Sequence, residues 1–146
     1  MSQVNYPVTS FRFQVNWAGT NIGFTEVSGL DMEVDLVEYR QGASPDSSKI
    51  KMPGMKKFSN ITMKRGTFAG DNEFYEWWNQ NQFSTAQRRD ITIELLNEEG
   101  DPVIGWKVRN AFPLKVQTTT LKADGSEVGI ETMEIAHEGL TVQNDK

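Results

Sequence analysis

Trp106-Lys107-Val108-Arg109-Asn110-Ala111-Phe112-Pro113-Leu114-Lys115, then Thr118-Thr119-Thr120, then Glu131-Thr132-Met133-Glu134-Ile135-Ala136-His137-Glu138-Gly139-Leu140, is the stretch that decides the fold. Two extended runs meet at Pro113, which has no N–H for a sheet ladder and so marks a strand edge or a corner. The later run changes phase within itself. Val128 and Ile130 fall on one face of a strand and Met133 and Ile135 on the other, because side chains alternate with period two. A single sheet with one buried face does not accommodate that switch. A strand that bends through a bulge, or passes from one sheet to another, does. The C-terminal third is therefore predicted to tie two sheets together.

Working outward, residues 9–17 alternate, with Phe11, Phe13, Val15 and Trp17 on one face and Arg12, Gln14 and Asn16 on the other. A turn at residues 18–21 and a return over Ile22 to Val27 predict a hairpin. Met32, Val34 and Leu36 alternate with Glu33 and Asp35, giving a third strand that is acidic on one side. Phe58 to Gly66 reads as a fourth strand and residues 88–97 as a fifth. Val103–Phe112, Pro113–Lys122 and Ser126–Glu138 follow as the sixth to eighth. One helix is predicted at about 71–82. Asp71 is its candidate cap, Glu73 complements the helix dipole, and Phe74, Trp77 and Trp78 form an apolar stripe.

Residues 41–57 break the pattern. They hold two prolines, two glycines, three serines and four lysines, and Ile50, Met52 and Met55 have no periodic partners. A structureless loop this long is uncommon inside a compact domain unless it is functional or disordered. Pro53-Gly54 supplies a turn, which favours an arm that orders on a partner over an inert loop. The expected fold is mainly β: two packed antiparallel sheets in a sandwich or barrel, with one flanking helix and a long extended loop at about 41–57.

With 146 residues the chain is expected to be one domain with a real core. Its net charge of -5 argues against non-specific binding to nucleic acid or an anionic membrane. Cysteine is absent, which excludes disulfides, thiolate nucleophiles and zinc–thiolate sites. Neither a secretory signal nor an apolar run of roughly 20 residues is visible, so synthesis in the cytoplasm without membrane anchoring is expected. Hydrophobic residues make up 37%, and the 12 glycines only bring the total to the low end of the usual range. That low share fits either a small β domain with a wet face or a subunit completed by its neighbours.

The catalytic inventory is thin. His137 is the single histidine, placed near a strand end, and a lone strand histidine is more often structural. Glu131, Glu134 and Glu138 read as solvated strand-face carboxylates rather than an acid–base pair. Residues 71–73 and 124–127 resemble fragments of calcium loops without the full ligand spacing. No phosphate-binding glycine motif is present. Accordingly no catalytic residue, cofactor or metal site is expected.

Six segments in order carry a more specific signal. They are Gly23 to Leu30, Tyr39 to Gly42, Met52 to Met55, Ile61 to Gly66, Trp106 with Asn110 to Pro113, and Ile130 to Leu140. Together they closely resemble the tail tube proteins of contractile-tail bacteriophages and the inner-tube subunits of extracellular contractile injection systems. The related type VI secretion tube protein shares the implied fold. The resemblance spans nearly the whole chain and implies a single tail-tube domain, 1–146. It further implies hexameric rings stacked into a hollow tube that sheath contraction drives through a target envelope, with protein or DNA cargo in the lumen. Implied partners are further copies of the chain, the sheath, the baseplate and spike, and tube-capping proteins, in a phage tail or tail-like particle. Ser44, Pro45, Ile50, Met52, Pro53, Gly54 and Met55 would contact neighbouring subunits and rings, and Glu33 with Asp35 is a candidate lumen face.

Two other classes stay open at this stage. One is a monomeric β-sandwich carbohydrate-binding module using Trp77 and Trp78. The other is an enzyme built on His137 with Glu134 or Glu138.

Overall fold

The computed structural model describes residues 12–17, 20–40, 42–43, 49–80, 88–125 and 128–144. In chain order these form β1 (Phe13–Trp17), β2 (Thr20–Ile22), β3 (Glu26–Ser28), β4 (Met32–Tyr39), β5 (Ile50–Phe58), β6 (Ile61–Gly66), α1 (Glu73–Gln80), β7 (Arg89–Leu96), β8 (Pro102–Thr118), β9 (Ile130–Ala136) and β10 (Gly139–Asn144). Eight strands make one antiparallel sheet ordered β2-β1-β7-β8-β9-β6-β3, with β10 also paired to β8, and β4 and β5 make a second. The expected mainly β fold of two antiparallel sheets with one helix is what forms.

Strand β8 folds the large sheet on itself. Its first part pairs with β7 and β10, and from Phe112 onward it pairs with β9. Between the two parts Asn110 takes a φ of 52°, and the register shifts between Pro113 and Lys115. The predicted sixth and seventh strands are thus one strand with a corner, and Pro113 lies just past the bend. The chain crosses between the halves a second time where β9 gives way to β10 at His137-Glu138. Sequence reading had not anticipated β10.

The phase change after Val128 has a different cause from the expected bulge. Glu131, Met133 and Ile135 share one parity and all three are buried, while Val128 precedes β9 and is exposed. Glu131 therefore holds a core position, and the expectation of a solvated carboxylate there is wrong. It stands opposite Arg65 across the β6–β9 ladder. Arg65 Nε donates to Glu131 Oε2 at 3.2 Å, while its Nη1 and Nη2 each donate to Asp71 at 3.1 Å. Each of the two buried charges thereby has an ionic partner, which is what allows charge inside a core.

The core joins Val15, Ile91, Ile93 and Val108 from one half to Ile61, Met63, Met133 and Ile135 from the other. Phe74 and Trp77 of α1 complete it. Asp71 accepts the Glu73 amide at 3.2 Å while holding Arg65, so one carboxylate fixes both the start of the helix and the buried cation. Predicted residues 81–82 of the helix lie outside the described residues.

Two further boundaries differ. The expected strand Ile22 to Val27 splits into β2, which pairs with β1, and β3, which pairs with β6. The expected strand Phe58 to Gly66 breaks at Ser59-Asn60, where β5 ends and β6 begins.

Candidate assembly surface

Within the span 41–57, expected to be an arm, residues 50–57 belong to β5, the second strand of a hairpin. β4 and β5 pair antiparallel from Met32 opposite Phe58 to Tyr39 opposite Ile50. Two complementary runs build it: β4 carries Glu33, Asp35 and Glu38 and no base, and β5 carries Lys51, Lys56 and Lys57 and no acid. Lys57 Nζ lies 2.7 Å from Asp35, and Lys49 Nζ, just before β5, lies 3.4 Å from Glu38. The Lys57 ammonium is held above the ordinary lysine pKa, first by its hydrogen bond to Asp35 and then by that carboxylate's charge. Of the two residues of the candidate lumen face, Asp35 is thus paired with a lysine across its own hairpin.

The span around Pro53-Gly54 is not a turn: Pro53 is in register and the ladder bulges at Gly54-Met55. Val34 faces Lys56 and Leu36 faces Pro53, so Asp35 stands opposite both Gly54 and Met55. A side chain at Gly54 would crowd Val37 and Asp35 at 3.0–3.2 Å. Proline is tolerable there because neither strand of the hairpin is paired on its outer side among the described residues.

The hairpin leaves much apolar surface uncovered. Met55 is 79% exposed, Ile50 61% and Leu36 59%, and Met32, Val34, Val37, Tyr39 and Met52 are exposed too. Val37 with Met52, and Tyr39 with Ile50, form two cross-strand pairs toward its far end. Isolated exposed apolar side chains are ordinary, but eight on one two-stranded ribbon, with Met32, Val34 and Leu36 on one face and Val37 and Tyr39 on the other, mark an interaction site. Of the residues expected at the assembly surface, Ile50, Met52, Pro53, Gly54 and Met55 come together on β5, while Ser44 and Pro45 lie outside the described residues. The β4 half of the patch was missed. Its signal was present in the matching lengths and opposite charges of 32–39 and 50–58.

The rival sites do not assemble. His137 Nε2 lies 3.1 Å from the Ser59 carbonyl, and its ring packs on Phe58. Glu134 accepts from Asn60, and Glu138 from Arg88 and Asn110. Trp77 is buried with Arg89 over its ring, so the two tryptophans do not form an exposed platform together, although Trp78 is 41% exposed. Among the described residues no group of three potential metal ligands converges, and no helix is long and apolar enough to cross a membrane.

Comparison with solved structures gives matches at similar length. The sheath–tube complex of the extracellular contractile injection system PVC, in its extended state, contains a chain 33% identical, with TM-score 0.88, covering 97% of this chain and 94% of that one. The tube-terminating cap of the anti-feeding prophage contains one 34% identical, with TM-score 0.90, covering 99% and 95%. Hcp1 from Flavobacterium johnsoniae, 15% identical with TM-score 0.56, covering 90% and 94%, shares the fold. A search of curated protein sequences returned no match. Residues 9–141 match the family described as T4-like virus tail tube protein gp19, and the chain belongs to that tail tube family.

Proposed function

We propose that this chain is the repeating subunit of the rigid inner tube of a contractile injection machine. Six copies form a ring, and stacked rings form a hollow tube, which a contracting sheath propels from a baseplate and through whose lumen protein or DNA cargo passes. The observation that carries this reading is the β4–β5 hairpin: a ribbon with two edges unpaired among the described residues and eight exposed apolar side chains. Family membership and the sheath–tube and cap relatives support sheath, baseplate and cap as partners in a phage tail or tail-like particle. The arm from Ser44 to Met55 carries contacts to neighbouring subunits and rings. The sheet edges at β2 and β3 are offered to the same neighbours, since an open sheet is relieved of its unpaired backbone groups by continuing across subunits.

Negative-stain electron microscopy of the purified protein, with its mass in solution, tests the reading. Sixfold rings or hollow tubes are expected. A monomer that stays monomeric at high concentration and also fails to polymerise on baseplates defeats it. Deleting Ser44 to Met55 is expected to stop stacking while the core keeps its fold, because the buried core residues lie outside the hairpin and Phe58, which packs on them, is retained. Normal tubes from that variant would remove the arm's role.

A further inference from the structure

We infer that the two strands of the hairpin are charge-coded edges, the acidic β4 of each copy docking beside the basic β5 of the next copy around the ring. This rests on the ring reading above and adds to it the surface and the sense of association. Charge is completely segregated between the two strands. The intrachain ion pairs, Lys57–Asp35 and Lys49–Glu38, do not use it all. Lys51 and Lys56 make no ion pair among the described residues.

Symmetry gives the segregation a second meaning. A twofold contact sets β4 against β4 or β5 against β5, which places like charges on adjacent strands. A head-to-tail contact sets β4 against β5. In a cyclic ring all hairpins point the same way, so that contact runs antiparallel and repeats the geometry inside each hairpin. The same charges therefore favour ring closure and oppose pairwise association. A lone two-stranded ribbon is marginal in water, and neighbours on both edges would pair its free backbone groups, with the β5 edge short of one donor at Pro53.

Two charge-reversed chains test this. Glu33→Lys with Glu38→Lys makes both edges basic, and Lys51→Glu with Lys56→Glu makes both acidic. At low salt each alone is expected to need on the order of tenfold more protein than wild type to form rings. An equimolar mixture is expected to recover assembly. Charges acting only within a hairpin predict no rescue on mixing, because each chain keeps its internal repulsion, so absence of rescue overturns the inference. Assembly of either chain alone as readily as wild type overturns it too.

Neutral variants, with Gln in place of the same four residues, guard against a hairpin that no longer pairs. They are expected to assemble weakly and to lose the salt sensitivity of wild-type rings, and unchanged salt sensitivity sinks the idea. Wild-type protein that forms no rings under any condition removes the ring reading and this inference with it. Wild-type rings combined with failed rescue remove the inference alone.

Discussion

Gly29 packs directly on the carbonyl of Asn60, at the point where both arms of one long hairpin bend. β3 pairs with β6 and β4 with β5, so residues 26–39 and 50–66 are the two arms of one ribbon, interrupted at Gly29–Asp31 on one arm and Ser59–Asn60 on the other. Gly29 has a φ of 90°, and an added Cβ would overlap the Asn60 carbonyl oxygen. The joint is anchored from β9 by Glu134, which accepts from Asn60 Nδ2 at 3.1 Å, and by His137 against the Ser59 carbonyl. The role of His137 is to hold the root of the arm.

Gly29→Ala is expected to lose more stability than Gly70→Ala. Both glycines have positive φ, which costs a side chain roughly 1–2 kcal/mol, but at Gly70 the space is open. The overlap at Gly29 adds about 1–3 kcal/mol, the usual range for overpacking. Urea unfolding of the monomeric variants checks it. Equal losses at the two positions would mean that the joint is not closely packed.

Arg65 and Glu131 make a sharper case. Removing one partner of a buried pair leaves the other charge unpaired and typically costs 3–5 kcal/mol, whereas replacing both with apolar side chains is often neutral. Arg65→Ala is therefore expected to be strongly destabilising, since it also strips Asp71 of its cation and Phe74 of a guanidinium 4.4 Å from its ring. Arg65→Met combined with Glu131→Leu is expected to recover at least half of the loss from Arg65→Met alone. A double variant less stable than either single one would contradict the pairing.

Tyr75 reports on the same network through pH. Its phenol is raised above the ordinary 10.0, first by burial and then by the charge of Glu131, with Arg65 opposing. A raised value means that the folded state prefers the neutral phenol. This contribution is complete below the ordinary value and is lost as pH rises through the folded one. Glu131→Gln is expected to bring the Tyr75 titration down part of the way, because burial remains. Ultraviolet titration against Tyr75→Phe reads the shift, and no movement would place Glu131 too far away to act.

Much of this was legible because alternation is a strong signal wherever one face is buried. β1 and β7 are strands as their patterns require, and the fold-deciding corner expected at Pro113 forms just before it, at Asn110. The failures share one physical cause, polar residues in roles that pattern rules assign to apolar ones. Glu131 broke the parity of β9 because a carboxylate sits in the core, which only its partner 66 residues away explains. Likewise β5 looked irregular because its regular feature is lysine facing acid on β4, not hydrophobic alternation. Pro53-Gly54 imitates a turn, and only the opposite strand reveals a bulge.

The tryptophan pair separates packing from recognition. Trp77→Ala is expected to cost about 3–5 kcal/mol, the range for a large core aromatic, because Trp77 is fully buried. Exposed Trp78 is expected to be replaceable by Ala within about 1 kcal/mol. Thermal melts of the two variants check the contrast. Retention of wild-type protein on polysaccharide columns, lost on Trp78→Ala, would revive the carbohydrate-binding reading.

Asn110 is where β8 turns from one half of the sheet to the other. Its φ of 52° lies in the left-handed region, which asparagine enters more readily than other non-glycine residues. Its amide N–H donates to Asp90 Oδ1 at 3.0 Å and its Nδ2 to Glu138 Oε2 at 2.9 Å, tying the bend to β7 and to the β9–β10 crossing. Asn110→Ala loses the side-chain bond and keeps the backbone strain, so a loss of about 1–3 kcal/mol is expected. Asn110→Gly loses the same bond but relieves the strain, and is expected to be the milder change. If glycine proves the more damaging of the two, the bend depends on side-chain packing rather than on backbone conformation.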